Sequence, residues 1–283
     1  PKFAEMHPYQ DDDTAQGILK LIYDFEQIMK EISGLDAVSF QAGGGGQGIY
    51  ANAAVLKKYF EDRGEADKRT ILSHPLNSAA PATKGFEVIS LYPDENGYPS
   101  LENLKAVVSE KTAGIFITNP EDTGVFNPII RQFVDVVHEA GGLCVCDMAD
   151  YNGLFGLVRA KELGADMCHF NLHKAFASPH ACMGPGCAAQ CVSAELEKYL
   201  PRPRVRFDGT RYYTDYEDRD SVGKIRQFHG ALSAVIRAYS WVMSLGTEGL
   251  KAVGETAILN NNYMMKRVLN EVRGITMSWA EEA

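Results

Sequence analysis

The chain has 283 residues, 45% of them hydrophobic, and its 37 acidic against 28 basic residues leave a formal net charge of -9. That much apolar sequence can bury a large core, and an acidic chain without a Lys/Arg cluster is a poor partner for a phosphate backbone, so nucleic-acid binding is disfavoured. No apolar run approaches the roughly 18 residues of a membrane span, and residues 1–10 lack the basic start and apolar stretch of a signal peptide; the expected setting is cytosolic.

From Asp13 the sequence reads as a helix. Asp13 with Gln16 resembles a capping box, Ile18, Leu21, Ile22, Phe25, Ile28, Met29 and Ile32 form one apolar stripe, and Gly34 stops it. A short strand, Ala37 to Phe40, runs into Gly43, Gly44, Gly45, Gly46 and Gly48, and a helical pattern then continues through Ala54, Leu56 and Tyr59 towards Arg63. Strands are expected at Thr70 to Ser73, Glu87 to Leu91, Gly114 to Thr118, Leu143 to Met148, Met167 to Leu172 and Cys187 to Val192, with helices from Ser100 and over Ile129 to Ala140. Strands of this length alternating with helices predict an α/β fold with a largely parallel sheet covered on both faces, because parallel strands need crossover connections. One domain is expected over residues 1–240, with the helical tail 241–283 beginning a second.

The six cysteines lie between Cys144 and Cys191 and imply no disulfide framework. Cys182, Cys187 and Cys191 near His180 can be drawn as a metal site, but no CxxC pair is present; buried thiols acting as small apolar residues, and no metal, are expected.

In open α/β sheets ligands gather at the carboxyl ends of the strands. Four places there carry reactive residues: the glycine loop at 43–48, Ser73-His74 with Asn77-Ser78, Asp147-Met148-Ala149, and Asn171-Leu172-His173-Lys174. The glycine loop opens a helix, so its N–H groups and the helix dipole can cradle a phosphate, although it fits neither GxxxxGK[ST] nor a dinucleotide fingerprint and also reads as a flexible turn. Asp147 ends a buried run and needs a cation or several donors; a cap or a core hydrogen bond would serve as well. Lys174 ends another run, where it can also simply point to solvent. Together they match a pyridoxal phosphate (PLP) site, which needs an amine to hold the cofactor as a Schiff base, an acid at the pyridine nitrogen and anchors for the phosphate.

The segment Phe170 to Gly186, FNLHKAFASPHACMGPG, resembles the lysine motif of the glycine-cleavage P-protein family, PLP-dependent glycine dehydrogenase (decarboxylating), and is most similar to the C-terminal half of its long form or the second subunit of its split form. FAEMHPY, GLDAVSFQAGGGGQGIYA, SHPLNSA, PEDTGVF, VHEAGGLCVCDMADYNGLFGL, LGADMCHFNLHKAF and GTEGLKAVGETAILNNNYMMKRV extend the resemblance over nearly the whole chain. It implies fold type I, the aspartate aminotransferase-like architecture. It implies Lys174 as the Schiff-base lysine, Asp147 as the partner of the pyridine nitrogen, His74 stacked on one ring face and Ala149 on the other. His173 and the loop Gly44, Gly45, Gly46 and Gln47 become the phosphate candidates, and Asn171 is counted with the cofactor-binding residues.

The implied reaction is condensation of glycine with PLP, loss of carbon dioxide and transfer of the aminomethyl group to the lipoyl arm of the H-protein. Implied partners are that H-protein and a homologous first subunit or an identical chain. The chain departs from the family pattern at Ala181, Cys182 and Met183 after the lysine motif, at Pro75 and Leu76 beside His74, at Ile49, at Thr123 and in Arg226 to Gly230. These departures keep open a fold type I enzyme acting on a different amino acid as lyase, desulfurase or aminotransferase. The chain also reads as a fragment, without matching sequence before Pro1 or most of a small C-terminal domain after Ala283.

Overall fold

A computed structural model describes residues 6–7, 9–122, 124–178, 185–217 and 219–277. Thr123, His180 and the altered stretch Ala181 to Met183 lie outside the described residues. The elements in chain order are α1 (Gln16–Ser33), β1 (Ala37–Ser39), α2 (Gly45–Asp62), β2 (Thr70–Ser73), α3 (Ala79–Thr83), β3 (Glu87–Ser90), α4 (Leu101–Val107), β4 (Thr112–Thr118), α5 (Ile130–Glu139), β5 (Leu143–Met148), β6 (Met167–Asn171), β7 (Ala188–Val192), β8 (Arg204–Phe207), β9 (Tyr212–Asp215) and α6 (Leu232–Glu271).

Seven strands form one sheet in the order β1-β7-β6-β5-β4-β2-β3. The five strands from β6 to β3 pair in parallel, as their helical crossovers require, whereas β7 runs antiparallel to both β6 and β1. A separate hairpin, β8-β9, was not visible in the sequence pattern. It also explains why the expected Asp13 capping box does not form: α1 starts at Gln16 without a side-chain cap, because Gln16 and Asp12 bond to Tyr212 and Thr214 of β9 instead. The helix ends where expected, at Gly34, whose φ of 74° suits glycine and whose N–H donates to Lys30 O. Residue 240 falls inside α6, and the backbone break in that helix is at Gly246 (φ 62°, ψ -174°).

Side chains alternate across a strand, so each central strand serves two cores. Cys144, Cys146 and Met148 of β5, Cys168 and Phe170 of β6, and Ile115 and Ile117 of β4 join α1, α5 and the first turns of α6 in one apolar cluster. Leu143, Val145, Met167 and Phe116 face the other way and pack with Val55, Leu56 and Phe60 of α2. The period of two then places Asp147, His169 and Asn171 on the α2 side, at the carboxyl edge of the sheet.

Candidate active site

At that edge α2 begins. Its N-cap is Gly44, with φ 139° and no side-chain cap hydrogen bond, so the N–H groups of the first turn, Gly45 to Gln47, keep their donor capacity. The space around them is set by glycine. A Cβ on Gly45 would lie 3.0 Å from Asn171 Nδ2, one on Gly44 3.4 Å from His173 Cε1, and one on Gly48 2.7 Å from the His169 ring, while Gly46 faces open space. Asn171 is 3% exposed, and its Oδ1 is buried without a hydrogen-bond partner. His173 is anchored through Nδ1, 3.1 Å from Cys187 N and 3.0 Å from Cys187 O, which leaves Nε2 for a ligand. Free helix amides, the Asn171 Nδ2 donor beside Gly45 and a free imidazole nitrogen around an uncrowded glycine turn fit a phosphate group.

Asp147 closes β5 directly across the register from Thr118 of β4 and His169 of β6. Its Oδ1 accepts from Ala149 N at 2.9 Å and lies 3.1 Å from His169 Nε2. Burial pushes the Asp147 carboxyl up, but the His169 ring, Ala149 N–H and the Asn77 amide outweigh it and hold it below the usual carboxylate range. An ionised, donor-surrounded carboxylate in a largely buried place fits a protonated ring nitrogen.

Lys174 stands on the tight turn after β6, its own N–H donating to Asn171 O, and its Nζ lies 3.1 Å from Asp150 Oδ2. Its side chain is only one-third exposed, whereas Asp150 is largely exposed, so Lys174 leans into the edge rather than standing free in solvent. His74 follows β2 at the same edge, with Nδ1 3.1 Å from Asp122 Oδ2 and Nε2 3.8 Å from Glu121 Oε2. Burial, and next the Asp122 charge, push the Glu121 carboxyl up to about 7.

The fold therefore brings Asn171, Lys174, Asp147, Ala149, His74, His173 and Gly44 to Gln47 to one end of neighbouring strands. Sequence reasoning missed His169, which reads as one more residue of a buried strand, and Asp150. For His169 the usable signal was the odd-numbered alternation it shares with Asn171. No group of three or more metal-ligating side chains occurs among the described residues, and the five described cysteines are buried free thiols. No helix among the described residues is long and apolar enough to cross a membrane.

The sequence profile of the aminotransferase class-V family matches residues 38–199. The chain is 40% identical over 269 residues to a Thermoplasma volcanium protein named "Probable glycine dehydrogenase (decarboxylating) subunit 2", covering 94% of this chain and 57% of that one. A Pyrococcus abyssi protein of the same name is 40% identical over 287 residues, covering 99% of this chain and 57% of its own length. The chain thus spans little more than half the length of these curated relatives. Among solved structures, an inhibitor-bound glycine decarboxylase (P-protein) of the glycine cleavage system superposes with a TM-score of 0.76 at 20% identity, covering 95% of this chain and 62% of that one. A cysteine desulfurase from Thermococcus onnurineus NA1 superposes with a TM-score of 0.65 at 15% identity, covering 90% and 64%. At such identities the structures speak to the fold alone.

Proposed function

Because this chain belongs to the aminotransferase class-V family, a PLP-dependent family of fold type I, we propose that it carries the PLP site of a glycine-decarboxylating enzyme of the glycine cleavage system. The observation that carries the reading is the convergence of Lys174, Asp147 and the α2 first turn at one sheet edge, in a chain 40% identical to relatives named for glycine decarboxylation.

In this reading Lys174 supplies the amine that anchors the cofactor, with Asp150, at 3.1 Å, as its counter-charge until the cofactor arrives. Asp147, ionised, holds a proton on the pyridine nitrogen. The first turn of α2, Asn171 and His173 grip the phosphate, and His74 and Ala149 confine the ring between them. When bound, PLP supplies an electron sink for the pair released as the glycine carboxylate departs as carbon dioxide. The protein's part in that step is electrostatic: an Asp147 fixed by Ala149, Asn77 and His169 does not have to reorganise as charge develops. The aminomethyl acceptor is the lipoyl arm of an H-protein, and the functional unit pairs this chain with a homologous first subunit or a second copy, in keeping with relatives named "subunit 2". Residues 241–283 begin a second, smaller domain. The buried free thiols favour a reducing, cytosolic setting.

The test is an absorbance spectrum with PLP before and after borohydride, with mapping of the labelled lysine, followed by glycine-dependent exchange of labelled carbon dioxide in the presence of lipoylated H-protein and the first subunit. Label on Lys174 and exchange with glycine are expected. Label elsewhere overturns the site, and a site labelled at Lys174 that responds only to other amino acids overturns glycine.

A further inference from the structure

We propose that Arg226 is a ligand of the anionic end of the cofactor, closing on the PLP phosphate together with the first turn of α2; this rests on the PLP reading above. Arg226 comes from the segment between β9 and α6, far along the chain from the glycine loop, yet its guanidinium lies directly over that loop. A Cβ on Gly43 would sit 2.5 Å from Arg226 Nη1 and 2.9 Å from Gln47 Oε1. Gly43 N donates to the same Gln47 Oε1 at 2.8 Å, which fixes the loop against the helix it precedes. Gly43, Gln47 and Arg226, with Lys224, line an open cleft of about 550 Å³.

Three further observations point to an anion there. First, several other arginines of the fold are already matched: Arg131 to Asp135, Arg159 to Glu31 and Glu162, Arg204 to Glu26 and Glu197, and Arg206 to Glu197 and Asp215. Arg226 makes no such pair among the described residues, nor do Arg69, Arg219, Arg237 and Arg273, but of these five Arg226 is the one whose guanidinium lies against the glycine loop. A half-buried guanidinium, with five donors in a planar fork, is then left for a ligand. Second, the Arg226 charge reaches Cys187, whose backbone anchors His173, so arginine, imidazole and helix amides converge on Gly43 and Gly44. Third, Asn171, nine-tenths buried or more, turns its Nδ2, a donor, towards the same turn, 3.0 Å from a Cβ built on Gly45. Arg226, carried by the segment between β9 and α6, lies over the loop that enters α2, where Ala188 N donates to Ala42 O, so its guanidinium shares that loop with the first-turn amides of α2 and with His173.

The experiment titrates PLP and, separately, pyridoxal, which lacks the phosphate, into the apo forms of the wild type, Arg226→Gln and Arg226→Lys, following absorbance, with near-ultraviolet circular dichroism as the folding check. Arg226→Gln is expected to weaken PLP by about ten- to a hundredfold, the loss of a charge-assisted hydrogen-bonding group, and to leave pyridoxal unchanged. Arg226→Lys should fall between them, and inorganic phosphate should compete with PLP less well against the Gln variant by a similar factor. Equal losses for PLP and pyridoxal, or none for either, overturn the proposal. An unchanged PLP affinity with weakened glycine binding reassigns Arg226 to the substrate carboxylate and also overturns it. A wild type that binds neither compound overturns the PLP reading itself, and the proposal with it.

Discussion

Gly46→Ala and Gly48→Ala place the same methyl group on α2 two residues apart, and the structure separates their outcomes. Both replace a helical glycine with the best helix former, a gain of up to about 1 kcal/mol each. At Gly46 the new Cβ meets nothing within 4 Å. At Gly48 it would stand 2.7 Å from His169 Cδ2 and 2.8 Å from His169 Cγ. The ring cannot easily retreat: His169 is fully buried, hydrogen-bonded strands flank it on both sides, and its Nε2 lies 3.1 Å from Asp147 Oδ1. Overpacking of this kind costs about 1–3 kcal/mol. Since the helix-propensity gain is shared, that cost should appear as the difference between the two variants in urea unfolding, with Gly46→Ala at or above wild-type stability. Gly48→Ala should also loosen PLP, because any yielding of the ring disturbs Asp147. Equal stabilities for the two variants would refute the claim that α2 rests on His169 at this point and would detach His169 from the site.

His169→Phe keeps the bulk but removes the partner of Asp147, and should lower stability at pH 7 by about 1–3 kcal/mol, less than a fully buried pair loses because Asn77 and Ala149 remain. Asp147 has a depressed folded value, so its contribution is present at neutral pH and lost as pH falls through that value; the deficit of the variant should shrink towards pH 3. Glu121 works in the opposite sense. Burial raises its carboxyl from the ordinary 4.5 to about 7, so the folded state holds a proton that the unfolded state releases, and stability declines as pH rises from the lower value through the higher by about 3 kcal/mol. Glu121→Gln should flatten that slope between pH 5 and 8 in urea titrations, and an unchanged slope would show that the carboxyl is ionised throughout. Cys144, Cys146, Cys168, Cys187 and Cys191 should resist alkylation until the protein unfolds, since all are buried and burial pushes the Cys187 thiol up to about 12; mapping of a fast native label to any of the five would contradict the packing.

The parts of this site that could be read in the sequence are those that end an apolar run. Asp147 and the turn bearing Lys174 announce themselves because a charge follows a buried strand, and in a parallel sheet such strand ends share one edge. His169 gave no such sign. Inside Met167–Asn171 it reads as a core residue, and only its register opposite Asp147 gives it a role. Asp13 misled for a related reason: local spacing favours a capping box, but a hairpin some two hundred residues away competes for Asp12 and Gln16 and wins with several hydrogen bonds. Arg226 is the extreme case, a residue whose partner loop lies so far back in the chain that no spacing rule connects them.

The glycine run shows how a weak motif acquires meaning from three dimensions. As sequence, Gly43 to Gly48 fits neither GxxxxGK[ST] nor a dinucleotide fingerprint and reads equally as a flexible turn. In the fold its glycines answer to different constraints: Gly44 to a φ of 139° that disfavours any side chain, Gly45 and Gly48 to the close approach of Asn171 and His169, and Gly43 to the guanidinium lying across it. Gly46 alone is unconstrained by packing. If the run existed only to make a flexible turn, substitution at each helical position would have much the same effect. If it exists to lower α2 onto β6 and leave its first turn open to an anion, Gly48→Ala should harm stability first, Gly43→Ala should displace Arg226 and weaken PLP without destabilising the fold, and Gly46→Ala should do little to either. That ordering, measured by urea midpoint and PLP affinity on the same three proteins, separates a packed anion cradle from a loop that happens to be rich in glycine.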